Sequence, residues 1–146
     1  MTSDLPVQGT ETGTIYVLRS KSDHPTFVEH RDLIHKIGVT GGEVSARVSN
    51  AKADPTFLFA EVEVVATYKL VNINRAKLEA LLHRFFSAAR LDVEIPDRFG
   101  RAVKPREWFL VPLHVIDEVV ARLRDRSITR FSYDATTASL MKVQPR

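Results

Sequence analysis

The chain has 146 residues, 44% hydrophobic and 27% charged, the proportions of a globular domain with enough apolar material for one core. It holds no cysteine, which excludes a disulfide framework and a thiolate zinc site. A net charge of +3 and a pI of about 9.4 suit a polyanionic partner without requiring one.

Residues 1–12 (MTSDLPVQGTET) offer too little apolar surface to offset the entropy of ordering them, so a flexible tail is expected there. Nothing in this stretch reads as a signal peptide or a membrane span, and a cytoplasmic, membrane-free setting is expected. Thr14 to Arg19 is rich in β-branched and aromatic residues, and Leu33 to Val39 is a second apolar run; both predict strands. The connection between them, Ser20 to Asp32, is longer than an ordinary hairpin loop. After the Thr40-Gly41-Gly42 break, Val44 and Val48 lie one turn apart and predict a short helix over Glu43 to Ala51. Phe59 to Tyr68 sets Glu61 and Glu63 against Val62, Val64 and Ala66, the period of a half-buried strand. Leu78, Leu81, Leu82 and Phe85 then follow the spacing of an amphipathic helix over Asn74 to Ala89, with Asn74 as its N-cap.

An irregular loop follows in which Arg98, Arg101, Lys104 and Arg106 crowd together, either as a phosphate-binding surface or as a solvated one. Trp108 to Val111 predicts a strand. Leu113, Ile116, Val120 and Leu123 predict a last helix with Pro112 in its first turn. The order implies an α+β layered domain, residues 13–126, with a short mixed or antiparallel sheet of about three strands packed with helices. Residues 127–146 are expected to be a partly ordered C-terminal tail.

Gly13-Thr14-Ile15-Tyr16 and His35-Lys36-Ile37-Gly38 are followed, in order, by Arg47, by Leu78-Glu79-Ala80-Leu81-Leu82-His83 and by Arg106-Glu107-Trp108-Phe109. This succession resembles the GIY-YIG nuclease superfamily, and within it the phage open-reading-frame branch related to the fungal meiotically up-regulated product, which has a "KIG" second motif. The resemblance covers roughly residues 13 to 124. It implies a metal-dependent endonuclease acting on DNA: Tyr16 contacts or deprotonates the attacking water, Arg47 holds the scissile phosphate, and Glu79 binds one divalent metal, Mg²⁺ or Mn²⁺. Lys36 stands where the wider superfamily has a tyrosine, and Ala51 where a histidine or tyrosine often follows the helix arginine, which implies activity either attenuated or moved onto His83 and His35. The branch favours histidine at position 83, which implies a contact to the site or the substrate.

The residues read by themselves leave alternatives. Glu79 lies about 110° from the centre of its helix's apolar stripe, beside the core without entering it, as either a surface carboxylate or a ligand held over a cleft. His83 is one turn further along the same side. Tyr16 reads equally as a strand aromatic, Arg47 as a solvated charge, and Glu107 as a structural partner of Arg106 or as a member of the site. Two other functions stay open: a nucleic-acid-binding module with attenuated or lost catalysis, and a protein-interaction domain.

Overall fold

In the computed structural model, residues 7–96 and 99–143 are described. They form, in order, β1 (Gln8–Ser20), α1 (Pro25–Glu29), β2 (Ile34–Thr40), α2 (Val44–Val48), β3 (Val62–Ile73), α3 (Arg75–Phe85), β4 (Ile95–Pro96), β5 (Ala102–Val103), β6 (Trp108–Leu110), α4 (Leu113–Arg124), β7 (Phe131–Asp134) and β8 (Ser139–Lys142). The domain is α+β. Its sheet has four antiparallel strands in the order β3-β1-β2-β6, one more than expected. No helix among the described residues is long and apolar enough to cross a membrane.

Side chains alternate across a strand, so β1 and β2 present two different faces. Ile15, Val17 and Ile37 point to one face and are completely buried against Leu78 and Leu82 of α3 and Ile116 and Val119 of α4. Asn74 caps α3 as its sequence suggests, its side chain accepting a hydrogen bond from Lys77 N at 3.0 Å. On the opposite face Tyr16 and Leu18 pack with Ala51 and Phe57, and Ile34 and Trp108 pack with Phe27 and Leu58. This second layer is assembled from short pieces: α1, α2 and 3-10 turns at Ala51–Ala53 and Pro55–Phe57.

The structure departs from or adds to the sequence reading in three places. The strand predicted from Thr14 starts at Gln8, and the supposed tail is ordered from Val7, which is 3% exposed and accepts a hydrogen bond from Asn74 N at 2.7 Å. Glu11 in this stretch binds the start of α3, accepting from Arg75 N at 3.0 Å and facing its guanidinium at 2.9 Å. Composition could not show this, because pairing is supplied by the backbone and by one carboxylate. The long connection after β1 carries α1, capped by His24 Nδ1, which accepts from Thr26 N at 3.2 Å. Beyond α4, the β7-β8 hairpin folds back so that Tyr133 meets Phe86 edge to face at 5.2 Å.

Candidate active site

The site forms where β2 outruns its neighbour. β6 pairs only with Ile34, His35 and Lys36, so beyond that point the edge of β2 has no strand beside it. The backbone groups on that edge would otherwise lack partners, and α3 supplies them from its side chains. Glu79 Oε2 accepts from Val39 N at 2.9 Å, and His83 Nε2 lies 2.8 Å from Ile37 O. Glu107, just before β6, completes the edge, its carbonyl accepting from Ile37 N at 3.3 Å. Donor atoms of Glu79, His83 and Glu107 thereby come within 4.8 Å of one another.

The second half of the site comes from the opposite face of the strands. Tyr16 pairs in register with Gly38, and Leu18 with Lys36, so Tyr16 and Lys36 share a face. Gly38 is the glycine of the second motif, and its reason is steric: a Cβ there would lie 2.3 Å from Cζ of the Tyr16 ring. Without that Cβ the phenol lies across β2 and its oxygen reaches Lys36 Nζ at 3.4 Å. Lys36 is completely buried and donates also to Glu107 Oε1 at 3.4 Å. Burial lowers its pKa, and the Glu107 carboxylate opposes that shift. Tyr16 is pushed up, first by burial and further by Glu107 and Glu79, while Arg47 pulls it down. A phenol in this setting keeps its proton at neutral pH.

Arg47 stands in the last turn of α2, its guanidinium 5.0 Å from the centre of the Phe57 ring and 3.6 Å from Asp54 Oδ2. Asp54 is itself fixed, because its Oδ1 accepts from Thr56 N at 2.8 Å. The sequence holds no sign of Asp54 and Phe57 as supports of Arg47, since they lie in irregular chain whose path includes Leu58 and Phe59 at positive φ. Ala51, at the position where a histidine or tyrosine was expected, is buried beneath Tyr16.

Of the residues singled out in the sequence, Tyr16, Lys36, Arg47, Glu79, His83 and Glu107 come together. His35 does not. It faces away from Lys36, with Nδ1 2.7 Å from Val111 O and Nε2 accepting from Arg19 Nε at 3.1 Å, so both nitrogens are used inside the fold. Lys104 and Arg106 are exposed and line a hollow of about 400 Å³ together with Arg90, which the sequence did not suggest. Arg101 is exposed in the same loop, and Arg98 lies outside the described residues. A larger hollow of about 640 Å³, lined by Lys21, His24, Lys52 and Phe59 among others, contains none of the site residues.

The donor set itself fits a divalent cation: two carboxylates and an imidazole, half-buried, held on a helix and a strand end. The family model described as the T5orf172 domain matches residues 13–124. The chain belongs to the T5orf172 domain family. That match contains β1 from Gly13 through α4, and with them every residue of the converging site. The chain is also similar to the uncharacterized protein YeeC of Bacillus subtilis (strain 168), 42% identical over 113 residues, or 75% of this chain and 29% of YeeC. This T5orf172 chain thus spans less than a third of that relative's length. No solved structure matches it.

Proposed function

We propose that this T5orf172 domain is a metal-dependent DNA endonuclease of the GIY-YIG type. The observation that carries the proposal is the meeting of Tyr16, Lys36, Arg47 and the Glu79-His83-Glu107 cluster at one edge of β2, from separate parts of the chain. A structural ion pair would need Lys36 and one carboxylate. It would not need a phenol, a guanidinium, an imidazole and a second carboxylate around them.

In the proposed reaction water forms a bond to phosphorus and gives up a proton to solvent as the bond to one ester oxygen breaks, and that oxygen takes up a proton to leave as a hydroxyl. Arg47 holds the non-bridging oxygens of the scissile phosphate, its fork matching their geometry. Phe57 and Asp54 keep the guanidinium aimed before substrate arrives. Tyr16 orients the attacking water through its hydroxyl, and Lys36, donating to the same oxygen, fixes the direction of the phenol. A divalent ion such as Mg²⁺ or Mn²⁺, held by Glu79, would offset charge developing on the phosphoryl group, a contribution of several kcal/mol. The basic loop with Arg101, Lys104 and Arg106 draws the DNA backbone toward the site.

Supercoiled plasmid incubated with the protein and Mg²⁺ or Mn²⁺ is expected to be nicked or linearised, and spared when a chelator is added. Glu79→Ala should abolish cleavage and leave DNA binding in place, whereas Arg47→Ala should weaken both. Protein that binds DNA yet leaves plasmid intact with either metal would assign the domain to nucleic-acid binding without turnover. Cleavage that persists in Glu79→Ala would refute the site.

A further inference from the structure

We infer that Glu79, His83 and Glu107 act together as a three-ligand metal site, and that its imidazole makes the site select a transition ion, with Mn²⁺ preferred to Mg²⁺. The inference rests on the nuclease reading only in expecting a metal at all; binding needs neither DNA nor turnover.

Each of the three side chains is oriented through one atom by a group outside the cluster and keeps another atom for a ligand. A carbonyl oxygen can only accept, so His83 Nε2, 2.8 Å from Ile37 O, carries the ring proton and the lone pair resides on Nδ1. A metal-binding histidine is fixed in this way when its other nitrogen donates to a backbone carbonyl. Glu79 gives Oε2 to Val39 N at 2.9 Å and retains Oε1. Glu107 turns Oε1 toward Lys36 at 3.4 Å and retains Oε2. Donors at about 2.1 Å from a common ion stand about 3 Å apart when adjacent and about 4.2 Å apart when opposite. One ligand atom from each of the three side chains already lies within 4.8 Å of the other two, close to that range. Three protein donors on an octahedral ion leave three positions for water and phosphate oxygens.

The composition of the set decides which ion it prefers. Mg²⁺ favours oxygen ligands and releases its waters reluctantly, whereas an imidazole nitrogen suits first-row transition ions. A site built from Glu79 alone would discriminate little between the two metals. With His83 included, it should hold Mn²⁺ at least about tenfold more tightly than Mg²⁺, in line with the ~10–100-fold effects that even outer partners of a metal exert.

Mn²⁺ titration of the whole chain without DNA, followed by loss of the free-ion electron paramagnetic resonance signal, is expected to show one bound ion that Mg²⁺ displaces only in large excess. Pulsed measurements on the wild-type complex should show ¹⁴N coupling from a directly bound imidazole. His83→Gln keeps a donor for Ile37 O; it should lose the coupling, bind Mn²⁺ at least ~10-fold more weakly and change little toward Mg²⁺. Glu107→Gln should weaken both metals. Wild-type protein without nitrogen coupling, coupling retained in His83→Gln, or displacement of Mn²⁺ by equal Mg²⁺ would overturn the inference. Uncut plasmid from protein that shows the coupling would count against the nuclease reading alone, and cut plasmid from protein that lacks it against the three-ligand site alone.

Discussion

The two faces of the sheet are made from the same strands and treat them in opposite ways. Ile15, Val17 and Ile37 meet two regular helices, α3 and α4, in the main core. Tyr16 and Lys36, their immediate neighbours in sequence, meet a five-residue helix and two 3-10 turns. The first face gains its stability from apolar area. The second face has a completely buried lysine whose ammonium reaches the Tyr16 hydroxyl and the Glu107 carboxylate through long hydrogen bonds and lies 5.2 Å from the centre of the Tyr16 ring. Alternation along a strand therefore lets one residue pack the core while the next is left for the candidate site.

The largest effect should come from the first face. Leu82→Ala empties a completely buried position of α3 in the main core and should cost about 2–5 kcal/mol in denaturant unfolding. Tyr16→Phe removes one hydroxyl whose hydrogen bond to Lys36 is 3.4 Å long, and should cost about 1 kcal/mol or less while, under the proposed function, cleavage collapses. Equal losses of stability in the two variants would erase the distinction between the faces.

Gly38→Ala tests the second face where it is tightest. Its Cβ would lie 2.3–2.8 Å from three atoms of Tyr16, so the ring must move, at a cost of about 1–3 kcal/mol and, under the proposed function, with loss of cleavage. Placing Gly38→Ala in a Tyr16→Ala background removes the clash, and the double variant should be more stable than the sum of the single losses predicts. Additive losses would mean that Gly38 is required for some reason other than the phenol.

The same contrast explains what was legible in the sequence. α3 and α4 repeat apolar residues at helical spacing, and the residues at Leu78, Leu81, Leu82 and Leu123 that declared them are buried. The residues that converge at the edge of β2 stand in short motifs, and the family match covers the span, 13–124, over which those motifs run. What stayed hidden depends on long-range pairing: Val7 and Glu11 at the start of α3, Asp54 and Phe57 around Arg47, and Arg90 beside Lys104. None of these has a periodic signature, because each is defined by what the chain brings near it. Glu107 and His83 were visible as candidates, but only the short reach of β6 explains why they meet Glu79.

His35 sharpens the contrast by titration. It is buried beside Val111 and Arg19, and burial lowers its pKa below the ordinary 6.5. The unfolded chain then binds a proton more readily than the native one, so stability should be fully present above pH 6.5 and fall as acid is added toward the lowered native value. Unfolding followed from about pH 8 down to about pH 5 should show this decline, and His35→Gln should flatten it. A decline unchanged by the substitution would place its origin in other groups.

The smallest effect on stability, and the clearest on function, is expected outside both faces. Arg90, Lys104 and Arg106 are exposed around a hollow beside the site, joined to it through Phe109, whose ring lies 5.6 Å from the Arg90 guanidinium and 5.4 Å from the His83 ring. Such side chains contribute little to the fold, and Lys104 faces Asp92 only at 3.9 Å with both largely in solvent. If they receive DNA phosphates, replacing all three with alanine should leave the melting temperature nearly unchanged and weaken DNA binding. The logarithmic salt dependence should flatten by roughly 0.9 for each duplex phosphate that the variant no longer neutralises. That slope reports the ions released on binding: a residue that merely tunes the fold would change affinity by the same factor at every salt concentration and leave the slope alone. An unaltered slope in the triple variant would show that these three side chains neutralise no phosphates and are solvated surface.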